Sequence, residues 1–228
     1  MIISIKKQTL IIFITAIFVV VASCATLLGY KVVGAAAIIP EYTIVIDAGH
    51  GGIDGGVVGA TGVKESDINL SMSKILKEEL ESRNFAVVMT RSTADALNNV
   101  KRLDMQARKK IIVEANPTLV ISLHVNKFSD SSRRGVQVFY DDKGVGKDFA
   151  TVMQQYLNEN INAVYGTRSN YEPISGDLYI TKCAPVPSII IECGFISNPE
   201  DEKLLLSKKY CEDLCSRIGE VVSSSLNA

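Results

Sequence analysis

The chain has 228 residues, with 24 lysines and arginines against 25 aspartates and glutamates, for a formal net charge of −1. Proteins that bind nucleic acids usually carry clustered positive charge for the phosphate backbone. A net charge near zero gives no sign of such a surface, so we expect no nucleic-acid partner.

The first 40 residues are a hydrophobic segment with a basic start. They contain three lysines and no acidic residue, and residues 9–30 carry no charge at all. About 20 apolar residues suffice to span a bilayer, and lysines before such a run favour export of the chain after it. We therefore expect residues 1–40 to be a signal or anchor segment that links the protein to the membrane. Cleavage near residues 32–37 and lipidation of Cys24 are the two other fates that stay open.

Residues 41–228 have the length of one ordinary domain, and strand-like and helix-like segments alternate along them. Strands are predicted at 42–48, 86–91, 118–126, 135–140, 178–183 and 187–195. Helices are predicted at 65–85, 100–116, 147–165 and 199–226. This alternation predicts an α/β fold, a single three-layer domain with a mostly parallel twisted sheet flanked by helices.

Four of the five cysteines lie in this domain, at positions 183, 193, 211 and 215. Cys211 and Cys215 are four residues apart on a predicted helix, a spacing that suits a disulfide poorly. A single CxxxC also lacks the second ligand pair of a zinc–cysteine site. We interpret the four cysteines as small buried hydrophobic residues.

Three apolar strands lead to residues that can do chemistry. The segment "TIVIDAGH" leads to His50, "LVISLH" to His124 and "SIIIE" to Glu192, and the chain has no other histidine. Ligands of parallel sheets bind beyond the carboxyl ends of the strands, so these side chains should meet there. Glu65 follows a glycine-rich loop that is long enough to bring it over the same edge.

Two histidines, one carboxylate and an open position make a catalytic zinc site, and a second carboxylate off the metal can move protons. The set therefore predicts metal-assisted amide hydrolysis, although spacing alone leaves open which glutamate binds zinc. Asp47 or Asp54 is expected to orient His50, unless both only shape the loop. The loop lacks the spacing and the lysine of a P-loop, which argues against phosphate binding.

Four segments in order, "VIDAGHGGIDGG", "GVKESDINL", "LVISLHVN" and "PSIIIECGFISNPED", resemble the zinc-dependent N-acetylmuramoyl-L-alanine amidases of the amidase 3 type. The resemblance covers about residues 41–225. It implies that His50, Glu65 and His124 bind zinc, that Glu192 is the catalytic residue, and that peptidoglycan is cleaved between N-acetylmuramic acid and L-alanine. Arg108 falls in a segment similar to an arginine-containing helix of the family, and we interpret it as structural.

The short form of the chain and "DLYITKCAPVPSIIIECGFISN" are similar to the germination-specific amidases of spore-formers. That resemblance implies removal of the peptide from muramic acid on the way to muramic-δ-lactam in the spore cortex. It also implies an exported protein of the cell envelope, held in the forespore membrane and facing the cortex. Because such an enzyme is hazardous to a growing wall, we expect control by timing of expression or by a protein partner.

Two alternative functions also fit the sequence. A zinc carboxypeptidase or other metallopeptidase has the same ligand set, but a carboxypeptidase also needs an arginine that binds a terminal carboxylate. The arginines considered for this are Arg91, Arg102, Arg133, Arg134 and Arg168. The other alternative is a wall-binding protein without activity, which the presence of all four site residues disfavours.

Overall fold

The structure, a computed structural model, describes residues 14–20, 23, 40–167 and 170–227. The chain divides into two units, residues 1–39 and residues 40–228, and the described part of the first unit is helical. No helix among the described residues has both the length and the apolarity that crossing a membrane requires. Cys24, residues 32–37 and most of residues 9–30 lie outside the described residues, so the fate of the N-terminal segment stays a prediction.

The second unit is built on one six-stranded sheet. Its strands are β1 (Thr43–Ala48), β2 (Ala86–Met89), β3 (Leu119–Asn126), β4 (Gln137–Tyr140), β5 (Ile174–Ser175) and β6 (Ser188–Phe195). Their order across the sheet is β2-β1-β3-β6-β4-β5. All neighbours run parallel except β4 and β6, which are antiparallel. The predicted α/β fold with a mostly parallel sheet is confirmed.

Helices cover both faces of this sheet. They are α1 (Glu65–Ser82), α2 (Lys101–Ala115), α3 (Lys147–Leu157), α4 (Pro199–Leu205) and α5 (Lys208–Leu226), and a π-helical turn, Asn158–Asn162, extends α3. Ile44 and Ile46 of β1 point into the larger core, which α1, α3 and α5 close. Val45 points to the opposite face and packs with Ile112 of α2. Alternate strand residues are therefore buried on both faces, as the three-layer prediction requires.

Two predicted elements differ in the structure. The segment predicted as a strand at 178–183 contains a 3₁₀ helix, Ile180–Lys182, instead. The single closing helix predicted at 199–226 is two helices, because Ser207 between α4 and α5 has an extended backbone (φ −86°, ψ 119°). Cys183, Cys193, Cys211 and Cys215 are buried, and none forms a disulfide within the described part of the chain, which confirms their interpretation.

Candidate active site

The four predicted site residues come from four different elements. His50 lies two residues beyond β1, Glu65 is the first residue of α1, and His124 and Glu192 lie inside β3 and β6 rather than at their ends. His124 and Glu192 are direct neighbours in the parallel pairing of β3 with β6. The register of that pairing shifts just after His124, and the pairing resumes at Asn126 and Phe195.

The structure brings His50, Glu65 and His124 together. The Oε1 atom of Glu65 lies 2.9 Å from Nδ1 of His124 and 3.4 Å from Nε2 of His50. The two imidazole rings meet edge to face, with their centroids 5.0 Å apart. One ligand atom from each residue lies within 4.8 Å of the others, a spacing at which all three can bind one metal ion.

The carboxylate of Glu65 is buried and is held by the backbone on both oxygens. Oε2 accepts a hydrogen bond from the Val57 N–H at 3.0 Å, and Oε1 accepts one from the Val125 N–H at 3.1 Å. Burial alone would raise the pKa of Glu65, but its contacts with His124 and His50 outweigh burial and hold the pKa well below its usual range. Glu65 is therefore ionised and fixed in place, as a metal ligand must be.

The orientation of His50 is set by Asp54. Nδ1 of His50 lies 2.9 Å from Oδ1 of Asp54, which also accepts a hydrogen bond from the Gly56 N–H. The imidazole therefore donates from Nδ1 and presents Nε2 to the site, as is common for metal-binding histidines. The hydrogen bond to Glu65 raises the pKa of His50 against the opposing effect of its partial burial.

Asp47, the other aspartate considered for this task, serves a different network. Its carboxylate accepts hydrogen bonds from Thr90, Ser122 and Arg108 at 2.7–2.8 Å. Arg108 is fully buried and also bonds Asp104. Arg108 makes no hydrogen bond to the side chains of His50, Glu65, His124 or Glu192 within the described residues, and it bonds the backbone carbonyls of Ala48 and His50 instead.

Glu192 has the surroundings of a proton-transfer group. Its Oε2 atom is buried and has no hydrogen-bond partner among the described residues. Burial raises the pKa of Glu192 to about 7, with Glu65 adding to the effect and the two histidines opposing it. A carboxyl group with this pKa can both accept and release a proton near neutral pH, which is what a general acid–base requires.

The glycines around His50 make room for the side chains of His124 and Glu65. A Cβ atom at Gly49 would lie 2.3 Å from Nε2 of His124, and a Cβ atom at Gly56 would lie 2.5 Å from Oε2 of Glu65. Both contacts are shorter than real Cβ atoms tolerate, so the two side chains reach the site only because these positions lack a side chain.

A cavity of about 440 Å³ opens beside the two histidines. One wall comes from α2, with Lys101 and Met105, and another from Leu178–Ile180, the segment that sequence reasoning placed in a strand. Most of its lining is apolar, and its polar residues include His50, His124 and Lys101, as in pockets that bind small molecules.

None of the four described arginines considered for binding a terminal carboxylate lines this cavity. Arg108 does line it, but its guanidinium is bonded to Asp47, Asp104 and the carbonyl of Ala48. Arg91 is buried and its guanidinium is bonded to backbone carbonyls, Arg134 pairs with Asp201, and Arg133 lies over the ring of Phe128. Arg102 is exposed and Arg168 lies outside the described residues. The sequence suggested only this role for Arg91. Its contacts with the carbonyls of Ala48 and Gly49, next to His50, join distant parts of the chain and could not be predicted from a local pattern.

Comparison with known proteins agrees with this geometry. The profile of the N-acetylmuramoyl-L-alanine amidase family matches residues 44–224. The chain is 31% identical over 184 residues to the germination-specific N-acetylmuramoyl-L-alanine amidase of Bacillus subtilis (strain 168), which covers 77% of this chain and 76% of that protein.

Solved structures show the same similarity. The CwlD amidase from Clostridioides difficile, solved in complex with the GerS lipoprotein, is 32% identical, with a TM-score of 0.76 over 82% of this chain and 99% of that one. The amidase AmiC2 of Nostoc punctiforme is 29% identical, with a TM-score of 0.71 over 82% of this chain and 98% of that one.

Proposed function

Because this chain belongs to the N-acetylmuramoyl-L-alanine amidase family and is a peptidoglycan amidase, we propose that it works with zinc held by His50, Glu65 and His124. Two imidazoles and one carboxylate with an open position are the donor set of catalytic zinc. The observation that carries the proposal is the convergence of these three side chains on one point, with Glu65 ionised. Zinc in such a site supplies Lewis acidity, which lowers the pKa of water and polarises a carbonyl group.

In this proposal Glu192 is the general base and then the general acid. It stands next to His124 across the sheet, and its free oxygen faces no competing donor among the described residues. The ionised carboxylate takes a proton from the attacking water, and the carboxyl group then gives that proton to the nitrogen of L-alanine as the amide bond breaks. Asp54 and the backbone donors around Glu65 keep the ligands oriented meanwhile.

The proposed biological role is the removal of stem peptides from muramic acid on the way to muramic-δ-lactam in the spore cortex. Support comes from a relative that is named germination-specific and from the similarity to the CwlD amidase. We propose an exported protein of the cell envelope, attached through residues 1–40 to the forespore membrane and facing the cortex. Since that amidase was solved with a lipoprotein bound, we also propose that a protein partner controls this one.

The reaction is tested by incubating the purified protein with peptidoglycan, with and without zinc. We expect new N-terminal L-alanine and the loss of whole stem peptides from muramic acid, measured by mass spectrometry of the fragments. Loss of single terminal residues would instead indicate a carboxypeptidase. Zinc binding with no released product from wall or cortex would contradict the proposal and favour a wall-binding protein.

The spore role is tested in cells. In a spore-former that lacks its germination-specific amidase, expression of this chain should restore muramic-δ-lactam to the cortex, and the Glu192→Gln variant should not. Amidase activity in vitro without restoration of the lactam in spores would leave the reaction standing and refute the role.

Glu192→Gln is expected to lower kcat by about 10²- to 10⁴-fold while zinc stays bound, because the amide cannot take up a proton. The pKa of Glu192, raised to about 7, adds a pH dependence: activity rises as pH increases through the pKa of the carboxyl group. A bound cation stabilises the carboxylate, so this rise should fall below pH 7 in the zinc-loaded enzyme. The control is Glu114→Gln on the exposed side of α2. Unchanged turnover in Glu192→Gln would refute its assignment as the base.

A further inference from the structure

Two buried arginines hold the loop that carries His50. The guanidinium of Arg91 donates from Nε to the carbonyl of Ala48 at 2.8 Å and from Nη2 to the carbonyls of Gly49 and Ser66, both at 2.9 Å. Ser66 is the second residue of α1, next to Glu65. Arg91 therefore ties the loop before His50 to the start of the helix that carries Glu65.

Arg108 holds the same loop from α2. Its Nη1 donates to the carbonyl of Ala48 at 2.7 Å, and its Nη2 donates to the carbonyl of His50 at 2.6 Å. Between them the two side chains occupy three consecutive carbonyl oxygens, those of residues 48, 49 and 50. Both arginines are at most 3% exposed, so water competes little for these bonds.

The loop needs such support because the backbone of His50 is in the left-handed region, with φ of +60°. Such a conformation is unfavourable for a residue other than glycine and persists only where the surroundings impose it. Arg108 bonds the carbonyl of His50 itself, and Asp54 bonds its ring. The conformation that presents Nε2 to Glu65 is thus imposed from both ends of the residue.

We propose that Arg91 and Arg108 are positioning residues that set the zinc ligands His50 and Glu65 in their binding geometry before the metal arrives. The inference rests on the zinc site of the proposed function and assigns these arginines no contact with substrate. The planar fork of a guanidinium spans several carbonyls at fixed angles, whereas a lysine offers donors from one nitrogen. An arginine-to-lysine change therefore keeps the charge and loses the geometry.

The test measures zinc binding by the full-length apo protein, using competition with a chromophoric chelator, for Arg91→Lys and Arg108→Lys. Loss of support around a metal-binding histidine typically weakens binding about 10- to 100-fold, and we expect a change of that size in the zinc Kd. We also expect the visible absorption bands of the Co²⁺-substituted variants to shift, because the three donors no longer meet at the same angles. Wild-type Kd values and spectra in both folded variants would overturn the inference.

Matched controls separate positioning from general stability. Arg102→Lys makes the same change at an exposed position of α2 and should bind zinc as the wild type does. Leu80→Ala removes a buried side chain about 22 Å along α1 from Glu65, and should lower the melting temperature and leave the zinc Kd unchanged. If Leu80→Ala weakens zinc binding as much as the arginine variants do, the arginines are structural and the inference is refuted.

Asp104→Asn covers the case in which the lysine variants do not fold. Oδ2 of Asp104 lies 2.7 Å from Nε of Arg108 and aligns the guanidinium, so the amide should loosen it and weaken zinc binding several-fold. An unchanged Kd in this variant would count against the inference. Failure of the wild-type protein to bind zinc would instead remove the proposed zinc site itself, and the two failures are therefore distinguishable.

Discussion

Gly56 and Gly62 have the same kind of backbone but different neighbours. Their φ angles are +67° and +86°, and a Cβ atom would meet Oε2 of Glu65 at Gly56 but nothing within 4 Å at Gly62. Alanine at Gly62 should cost about 1–2 kcal/mol of unfolding free energy, because a left-handed backbone is unfavourable for a residue with a side chain. Alanine at Gly56 should cost more, because its Cβ atom also overlaps Glu65. Only Gly56→Ala should also weaken zinc binding, since it displaces Glu65, the proposed ligand.

Chemical denaturation and zinc titration of the two variants check this prediction. Gly62→Ala serves as the control for the backbone penalty alone. Equal zinc affinity in the two variants would show that Glu65 does not depend on the space left at Gly56.

The sequence predicted which residues form the candidate site better than it predicted the contacts between them. The meeting of His50, His124 and Glu192 at one sheet edge follows from parallel strands, and the length of the glycine-rich loop predicted Glu65 beside them. The choice between Glu65 and Glu192 as the metal ligand came from the resemblance to known amidases. The choice between Asp47 and Asp54 stayed open, because it depends on how the glycine loop folds back. The contacts of Arg91 with Gly49 and Ser66 join distant parts of the chain and leave no local pattern.

Among the elements, β4 has backbone N–H groups with no strand partner. Side chains of α3 and of the π-helical turn that extends it accept hydrogen bonds from these groups. β5 pairs only with Phe139 and Tyr140. Beyond that point, buried Gln154 accepts a hydrogen bond from the Val138 N–H at 2.7 Å, and Asn162 accepts one from the Val136 N–H at 2.7 Å. These amides satisfy backbone groups that the sheet leaves unpaired.

Gln154→Leu should therefore lower the free energy of unfolding by about 1–3 kcal/mol, because it leaves the buried N–H of Val138 without an acceptor. Urea denaturation measures the change. Gln155→Leu, at the exposed neighbouring position, is the control and should stay within about 0.5 kcal/mol of the wild type. Similar values for both variants would mean that β4 does not need the amide of Gln154.

The two elements that differ from prediction have physical reasons. Leu178 and Ile180 alternate as strand residues do, but they line the cavity beside His50. Pro185 and Pro187 follow closely and interrupt backbone pairing, so the segment closes into a 3₁₀ turn instead. Serine is a common first residue of helices, and Ser207 precedes α5. The helical pattern of apolar residues continues from 199 to 226, so the sequence did not indicate a break at Ser207.

For the molecule as a whole, the free energy of unfolding at acid pH depends in part on Asp47, a buried carboxyl group of strand β1. Burial would raise its pKa, but the charge of Arg108 and the hydrogen bonds from Ser122 and Thr90 lower it below the usual value. A carboxyl group with a lowered folded-state pKa stabilises the protein above its unfolded pKa of about 3.9, and this contribution is lost as pH falls through the folded-state pKa.

Asp47→Asn should cost about 1.5–3 kcal/mol at pH 7, because Arg108 loses one of its two carboxylate partners and keeps Asp104, and the variant should lose less stability than the wild type below pH 4. Urea denaturation of the apo protein between pH 2 and pH 7 measures both effects. Parallel pH profiles for the two proteins would assign the acid transition to other carboxyl groups.

The pairing of His124 with Glu192 has a consequence for how such a chain varies over time. Their separation is fixed by the hydrogen-bond ladder between β3 and β6 and not by the many residues that connect the two strands. Insertions and deletions in the loops of the connecting segment, away from β4 and from the cavity wall at Leu178–Ile180, can therefore accumulate without altering the chemistry. A single residue gained or lost inside either strand turns its side chain to the opposite face. Selection on this enzyme should thus be strict on strand length and permissive on loop length.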